Sequence, residues 1–409
     1  MSMEQIYRIF LRKELIAIKN VITYIGDYIK HTDKIFWLLT MVATFYGLCL
    51  IASQQRADDV NFLKTQVLAV CIGYIAAVVI SVFDYNFIAK FWWILAGVSL
   101  LLTVAVFFIG IQVGGTDDVG WIRLPGGMTF QPSELTKICF IITFSKHLAY
   151  LAEKDKLHNF IGVVTLILHA MIPIALIHLQ GDDGAALVFG LMFVIMTFAA
   201  GVQLRYFIVL FACIIGAIPV LWTQILNDDQ KNRLMVLFSS DDTSFRTYGW
   251  QQYQGKVSIA SGGLFGKGLF EGPRVERQVV PYQENDFIFT VAGEELGFIG
   301  CIAILVLFAL MLLKILRSAS KACNPLGKNI CIGYFALIAV QVVINLGMVL
   351  GILPVVGITL PFFSSGGSSV ACLYLGVGLV QSVFMHPTDN NRSVKIELNK
   401  TIRGSVFTH

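Results

Sequence analysis

The chain of 409 residues is 56% hydrophobic and 14% charged, carries a formal net charge of +4 and has a mean hydropathy of +0.74. These values exclude a soluble globular domain and a disordered chain and indicate a polytopic membrane protein. No basic patch interleaved with aromatics stands out, so the small positive charge gives no sign of nucleic-acid binding.

Residues 1–33 place Ile6, Ile9, Phe10, Leu15, Ile18, Val21, Ile22, Ile25 and Ile29 at roughly helical spacing between basic residues. That is the pattern of an amphipathic segment lying on an anionic cytoplasmic leaflet. Its charges interrupt any hydrophobic core, so no cleavable signal peptide is expected. Apolar runs long enough to cross about 30 Å of hydrocarbon follow at about 34–53, 64–83, 91–112, 133–152, 160–179, 185–203, 205–226, 287–316, 328–351 and 368–385. The predicted fold class is all-α: a polytopic integral membrane protein with ten transmembrane helices in one domain, 34–386. A long extracellular loop, about 227–286, joins the seventh and eighth helices, and 387–409 form a cytoplasmic tail.

Orientation follows from the basic residues retained in short cytoplasmic loops. Arg8, Arg12, Lys13, Lys19 and Lys30 precede the first span, Arg392, Lys395, Lys400 and Arg403 lie in the tail, and Lys90, Lys154, Lys156, Arg205, Arg317, Lys321 and Lys328 fall in alternate loops. Both termini are therefore expected inside. Of the eight cysteines, seven lie in spans and Cys323 in a cytoplasmic loop, so neither a disulfide nor a metal framework is implied.

Four outward-facing segments carry chemistry. In Phe130-Gln131-Pro132-Ser133-Glu134-Leu135-Thr136-Lys137, Pro and Ser suit a first helical turn, and Glu134 and Lys137 share a face. An ion pair just inside a membrane is a functional site by default, although it also serves to lock helices together. In Gln180-Gly181-Asp182-Asp183-Gly184 a tight outer turn presents paired carboxylates to a cation, a basic partner or solvent.

The third segment is the outer loop. Gly249-Trp250-Gln251, Gln254, Lys256 and Ser261-Gly262-Gly263-Leu264-Phe265-Gly266-Lys267-Gly268 lead through Arg274 and Arg277 to Asp286. Glycines let backbone amides approach an anion while Lys and Arg supply countercharge. Asp286 is expected at the start of the next helix, as a catalytic carboxylate or as a simple cap. Glu294 and Glu295 would lie about 12 to 13 Å further along that helix and point away from Asp286, as buried structural groups.

The fourth is Asn345 followed by the Gly/Pro/Ser-rich run from Gly351 to Ser369. No straight helix accommodates it, and non-helical backbone at membrane depth survives only when buried in protein or lining a cavity. Close backbone approach is expected at Gly366 and Gly367, and Leu373 on the tenth helix is expected to face lipid.

Together these segments resemble the SEDS family (shape, elongation, division and sporulation proteins), its rod-shape branch, RodA, more than its division branch, FtsW. The resemblance spans nearly the whole chain in order. It implies a peptidoglycan glycosyltransferase that polymerises lipid II at the outer face of the cytoplasmic membrane, beside a class B penicillin-binding protein as transpeptidase. No resident cofactor or metal is implied; whether a divalent cation accompanies the pyrophosphate stays open. Residue by residue, Asp286 matches the family's essential outer-loop aspartate, Glu134 and Lys137 its fourth-helix pair, and Asp182 the aspartate after the fifth helix. Ser364, Gly366 and Gly367 fall in its signature.

Trp121 and Arg123, before the fourth helix, stand in a departure from the usual Arg-Trp order, since Gly120 precedes Trp121. With Lys137, Lys256 and Lys267 they are the candidate substrate contacts, the cations among them facing the phosphates. In this reaction a sugar hydroxyl attacks an anomeric carbon and expels a polyprenyl pyrophosphate, so a base and a cation are needed. The rival reading is a lipid-linked oligosaccharide flippase, which would place its decisive charges near the membrane midplane.

Overall fold

The computed structural model of the chain describes residues 26, 28–54, 60–112, 118–124, 129–238 and 249–387. Most of the expected amphipathic segment 1–33, the tail beyond 387 and residues 239–248 of the outer loop lie outside the described residues.

The helices in chain order are α1 (Lys34–Gln54), α2 (Val60–Val82), α3 (Tyr85–Lys90), α4 (Trp92–Ile109), α5 (Pro132–Glu153), α6 (Phe160–Leu179), α7 (Asp183–Ala200), α8 (Leu204–Val220), α9 (Asp228–Met235), α10 (Trp250–Ser261), α11 (Pro273–Glu276), α12 (Ile288–Lys321), α13 (Pro325–Val349) and α14 (Gly367–Met385). Among the described residues ten are long and apolar enough to cross a membrane: α1, α2, α4, α5, α6, α7, α8 with the π turn that extends it, α12, α13 and α14. Each coincides with one of the ten runs expected from sequence, because in hydrocarbon the backbone must satisfy its own polar groups. The cysteines are all free.

Local signals set the ends. Pro132 opens α5 at its first turn, and Asp182 caps α7 by accepting from the Ala185 amide at 2.8 Å. Asn324 does the same for α13, accepting from the Gly327 amide at 2.9 Å. Before α5, strands β1 (Ile122–Arg123) and β2 (Thr129–Phe130) pair antiparallel, and Trp121 bridges back to Ile111.

Spans α13 and α14 are the most enclosed and α8 the least. Small residues let α14 approach α2 closely. A β-carbon on Gly378 would stand 2.6 Å from the Ala77 carbonyl, and one on Gly73 would stand 2.9 Å from the Ala371 α-carbon. This is the close small-residue packing by which helices associate in lipid. The same packing corrects one expectation: Leu373 is 2% exposed, within the core and not on the lipid face, and its carbonyl accepts the Tyr334 hydroxyl at 2.9 Å.

A second correction concerns α12. A straight helix of 34 residues would measure about 51 Å against about 30 Å of hydrocarbon, and the chain breaks it at Gly297, whose φ is 67° and ψ −161°. Ile288–Leu296 therefore form a separate outer segment packed within the protein. The glycine-rich loop docks on the break. Lys267 and Gly268 amides donate to the Glu294 and Glu295 carbonyls, both at 3.0 Å, and the Phe298 and Ile299 amides donate to Gly263 and Leu264 carbonyls at 2.9 and 3.2 Å. Gly266, at φ +80°, has no room for a side chain, since a β-carbon would lie 2.1 Å from the Glu295 carbonyl.

Alternation of the spans puts the described residues 110–112, 118–124, 129–131, 180–182, 221–238, 249–287 and 350–366 on one membrane face, where the four sequence segments meet.

Candidate active site

The run after α13 is irregular backbone, as its composition requires, and it is packed against the turn that carries Asp286. The Ser365 amide donates to the Glu284 carbonyl at 2.9 Å. The Ser364 hydroxyl donates to the Asn285 carbonyl at 2.5 Å and accepts from the Leu360 amide at 2.7 Å. Asn345 Nδ2 donates to the Asp286 carbonyl and to the Ile358 carbonyl, each at 2.7 Å. Three consecutive carbonyls, of Glu284, Asn285 and Asp286, are thus held by the signature segment.

Asp286 does not begin the helix. Its amide donates to the Tyr282 carbonyl at 3.2 Å, Phe287 is the N-cap and α12 starts at Ile288, so the carboxylate is not spent on capping. It stays partly accessible between a fully enclosed Phe287 and an exposed Gly357, which at φ +68° comes so close that a β-carbon there would lie 3.5 Å from Asp286 Oδ2. Burial, reinforced by the charges of Glu284, Asp182 and Asp118, pushes the Asp286 carboxyl up to about 7. A carboxyl with that affinity for protons is matched to proton transfer near neutral pH.

Asp182 is therefore part of the same constellation. Gln131 Nε2 donates to its Oδ2 at 3.0 Å. Burial raises its carboxyl above the usual range, opposed by the Ala185 amide and the Lys137 charge and reinforced by Glu134 and Asp183. Gly184 seats this corner against the signature segment, since a β-carbon there would lie 2.3 Å from the Val356 carbonyl. Glu134 and Lys137 pair at 2.8 Å with side chains 9% and 3% exposed, one helical turn into α5. Gln66 ties α2 to the segment by accepting from the Gly366 amide at 3.1 Å and donating to the Ser364 carbonyl at 3.3 Å. Gly367 lies against Ala69, with 3.3 Å between their β-carbons if one were added.

The other expected contacts have partners of their own. Lys267 Nζ pairs with the fully buried Glu294 at 3.3 Å, and the Arg274 amide donates to the same carboxylate at 2.9 Å. Lys256 lies over the Gly351 turn, where a β-carbon would stand 2.3 Å from its Nζ. Trp121 is held in the bridge to Ile111, and Arg123 is exposed on β1. Sequence reading did not single out Gln131, Asp118, Glu284 or Gly357 as site residues. Gln131, Glu284 and Gly357 lie within or beside segments it did choose; nothing local distinguishes Asp118.

Among the described residues no cluster of three or more His, Cys, Asp or Glu side chains is placed to hold a metal ion.

A family model described as cell cycle protein, FTSW_RODA_SPOVE, matches residues 31–389. The chain is 32% identical over 365 residues to the probable peptidoglycan glycosyltransferase FtsW of Geobacter sulfurreducens, covering 87% of this chain and 95% of that protein. It is 30% identical over 367 residues to the peptidoglycan glycosyltransferase MrdB of Escherichia coli, covering 89% and 96%. Among solved structures, a chain from a peptidoglycan synthase complex that coordinates polymerization and crosslinking superposes with a TM-score of 0.75 at 26% identity, covering 88% of this chain and 99% of that one. The rod shape determining protein RodA of Thermus thermophilus gives 0.65 at 25% identity, covering 88% and 98%.

Proposed function

The chain belongs to the FtsW/RodA/SpoVE family and is a multi-pass membrane peptidoglycan glycosyltransferase; from that premise we propose that it polymerises lipid II with Asp286 as the general base. The observation that carries this reading is the placement of Asp286 outside any helix cap, with its backbone clamped and its carboxyl tuned to about 7.

In the proposed step the 4-hydroxyl of one lipid-linked disaccharide attacks the anomeric carbon of another. The new C–O bond forms as the bond to the polyprenyl pyrophosphate breaks, and the leaving group departs with the electron pair. The hydroxyl proton passes to the Asp286 carboxylate. Direct displacement inverts the anomeric centre, as in inverting glycosidases.

Asp182, held by Gln131 and lying within electrostatic reach of Asp286, discourages ionisation of the base and so strengthens it. The Glu134–Lys137 pair is a net-neutral element whose positive end lowers the cost of charge on Asp182. Arg123, exposed on β1 at the same face, is the candidate cation for the departing pyrophosphate, with Lys137 as a second. Ser364, Gly366 and Gly367 act by shaping the backbone beneath the substrate. The proposed chemistry draws on these groups and requires no resident cofactor; a divalent cation travelling with the pyrophosphate is compatible with it, and polymerisation measured in EDTA separates the two.

Lipid-linked substrates explain why a single membrane domain, 34–386, carries the site: head groups meet in water while their tails stay between helices. We place the enzyme in the cytoplasmic membrane with both termini inside and Asp286 outside, as the distribution of Lys and Arg requires. A class B penicillin-binding protein is the proposed partner, since crosslinking of new strands calls for a transpeptidase and the structural relative works within a synthase complex that couples the two steps. The deciding experiment incubates the purified chain, with and without such a partner, with lipid II. Glycan strands from wild type and none from Asp286→Asn support the reading; strands from both overturn it.

A further inference from the structure

On the membrane face opposite Asp286, a cleft of about 600 Å³ opens between the first turns of α6 and α8. Its depth is fixed by topology, because α6 begins at Phe160 beside the cleft and crosses to deliver Asp182 to the active site. The walls are apolar and face outward: Phe160, Ile161 and Val209 are 71%, 76% and 60% exposed. Arg205, itself exposed, lines the polar side. Its guanidinium lies 4.9 Å from the centre of the Tyr206 ring, with Nη2 donating at 3.4 Å to the His158 carbonyl and at 3.3 Å to the Tyr206 hydroxyl. The Tyr206 hydroxyl donates to that same carbonyl at 3.2 Å.

These contacts hold the guanidinium in place but leave its charge unanswered. Among the described residues no carboxylate lies within ion-pair distance of Arg205, and two long hydrogen bonds use little of its five-donor capacity. The adjoining loop adds Lys154 and Lys156 against Glu153 and Asp155, so with Arg205 the rim keeps one net positive charge. A fixed, unpaired guanidinium at headgroup depth above apolar walls matches a phosphodiester carried on acyl chains: the planar donors suit phosphate, and basic pockets between helices on the cytoplasmic side bind anionic headgroups. α8 is the least enclosed of the ten spans, so lipid reaches the cleft along its exposed side.

We propose that this cleft seats one anionic phospholipid of the inner leaflet, with its phosphate on Arg205 and its acyl chains along Phe160, Ile161 and Val209, and that this lipid holds α8 against α6. The site is remote from the glycosyl-transfer centre and does not depend on the assignment of Asp286.

The test uses the purified full-length chain in neutral detergent. Native mass spectrometry and thermal unfolding are measured with phosphatidylglycerol, phosphatidylcholine or glycerol 3-phosphate added, for wild type, Arg205→Gln, Arg205→Glu and Arg317→Glu. Arg317 is exposed at the same membrane face on α12 and serves as the control. The expected result is one phosphatidylglycerol retained and a higher unfolding temperature with that lipid than with phosphatidylcholine. Occupancy falls about fivefold in Arg205→Gln, the scale of one basic residue at an anionic surface, falls further in Arg205→Glu, and is unchanged in Arg317→Glu. Equal retention in wild type and both Arg205 variants would mean bulk annular lipid only, and an equal response to phosphatidylcholine would remove the phosphate requirement. Stabilisation by glycerol 3-phosphate alone would mean a soluble anion and not a lipid. Each of these overturns the proposal.

Discussion

Asn345 and Asp286 are joined through the backbone: the Asn345 side-chain amide donates to the Asp286 carbonyl and to the Ile358 carbonyl, each at 2.7 Å, so one buried residue of α13 fixes the catalytic turn and the signature segment together. Asn345→Asp replaces that donor with an acceptor facing two carbonyls, and Asn345→Ala leaves both carbonyls without it. Loss of such a bond costs about 1–3 kcal/mol. Both variants are expected to insert, to unfold at lower temperature and to lose at least tenfold in lipid II polymerisation, with Asn345→Asp the worse. Wild-type activity in either would separate the clamp from catalysis.

Asp286→Asn removes the base without changing shape. Polymerisation should fall by about a hundredfold or more, with unfolding temperature unchanged or higher, because a raised carboxyl pKa means that ionisation of Asp286 opposes the folded state.

The pH profile reports the same group. A general base acts when deprotonated, so the rate should rise with pH and level off above about 7. Glu284 raises the Asp286 pKa, so Glu284→Gln should move the rising limb to lower pH. A limb that stays in place in Glu284→Gln would assign the titration to another group.

Glu134 and Lys137 are both buried, so removing one strands the other, a loss of about 3–5 kcal/mol where no water can reach it. Glu134→Gln and Lys137→Met should each impair polymerisation, and the double variant should be less impaired than the sum, with a coupling of about 0.5 kcal/mol or more. Additive losses would mean that the pair does not act as a unit.

Gly357 combines φ +68° with proximity to Asp286 Oδ2. Gly357→Ala forces a left-handed alanine, about 1 kcal/mol of strain, beside the base, and should reduce polymerisation more than it reduces stability. Gly366→Leu, which would crowd Ser369, and Gly367→Leu, which would fill the space against Ala69 of α2, should both abolish activity in the same assay.

The ten spans were readable because uninterrupted apolar runs have one outcome in hydrocarbon, and the irregular Gly351–Ser369 run because its glycines and prolines forbid a helix. Asp286 was identifiable as the carboxylate where polar loop meets apolar span, but its position two residues before the helix was not, since Phe287 and not a capping side chain marks the boundary. The approach of Asp182 to Asp286 depends on more than a hundred intervening residues and leaves no local mark. The glycine-rich setting of Lys267 suggests a phosphate contact; in the fold those glycines accommodate the broken α12, and the lysine pairs with Glu294. Leu373 was misplaced because the tenth span is apolar on every side, so periodicity gave no lipid-facing stripe.

The docking of residues 262–268 on the Gly297 break also bears on how the protein is made. Two amides from that loop complete the ladder above the break and two carbonyls complete it below, so the eighth span borrows its hydrogen bonds from chain already translocated. The span cannot be finished as an autonomous insertion unit. Completion of its backbone ladder, and with it the placement of the Ile288–Leu296 segment that follows Asp286, is coupled to the docking of the outer loop.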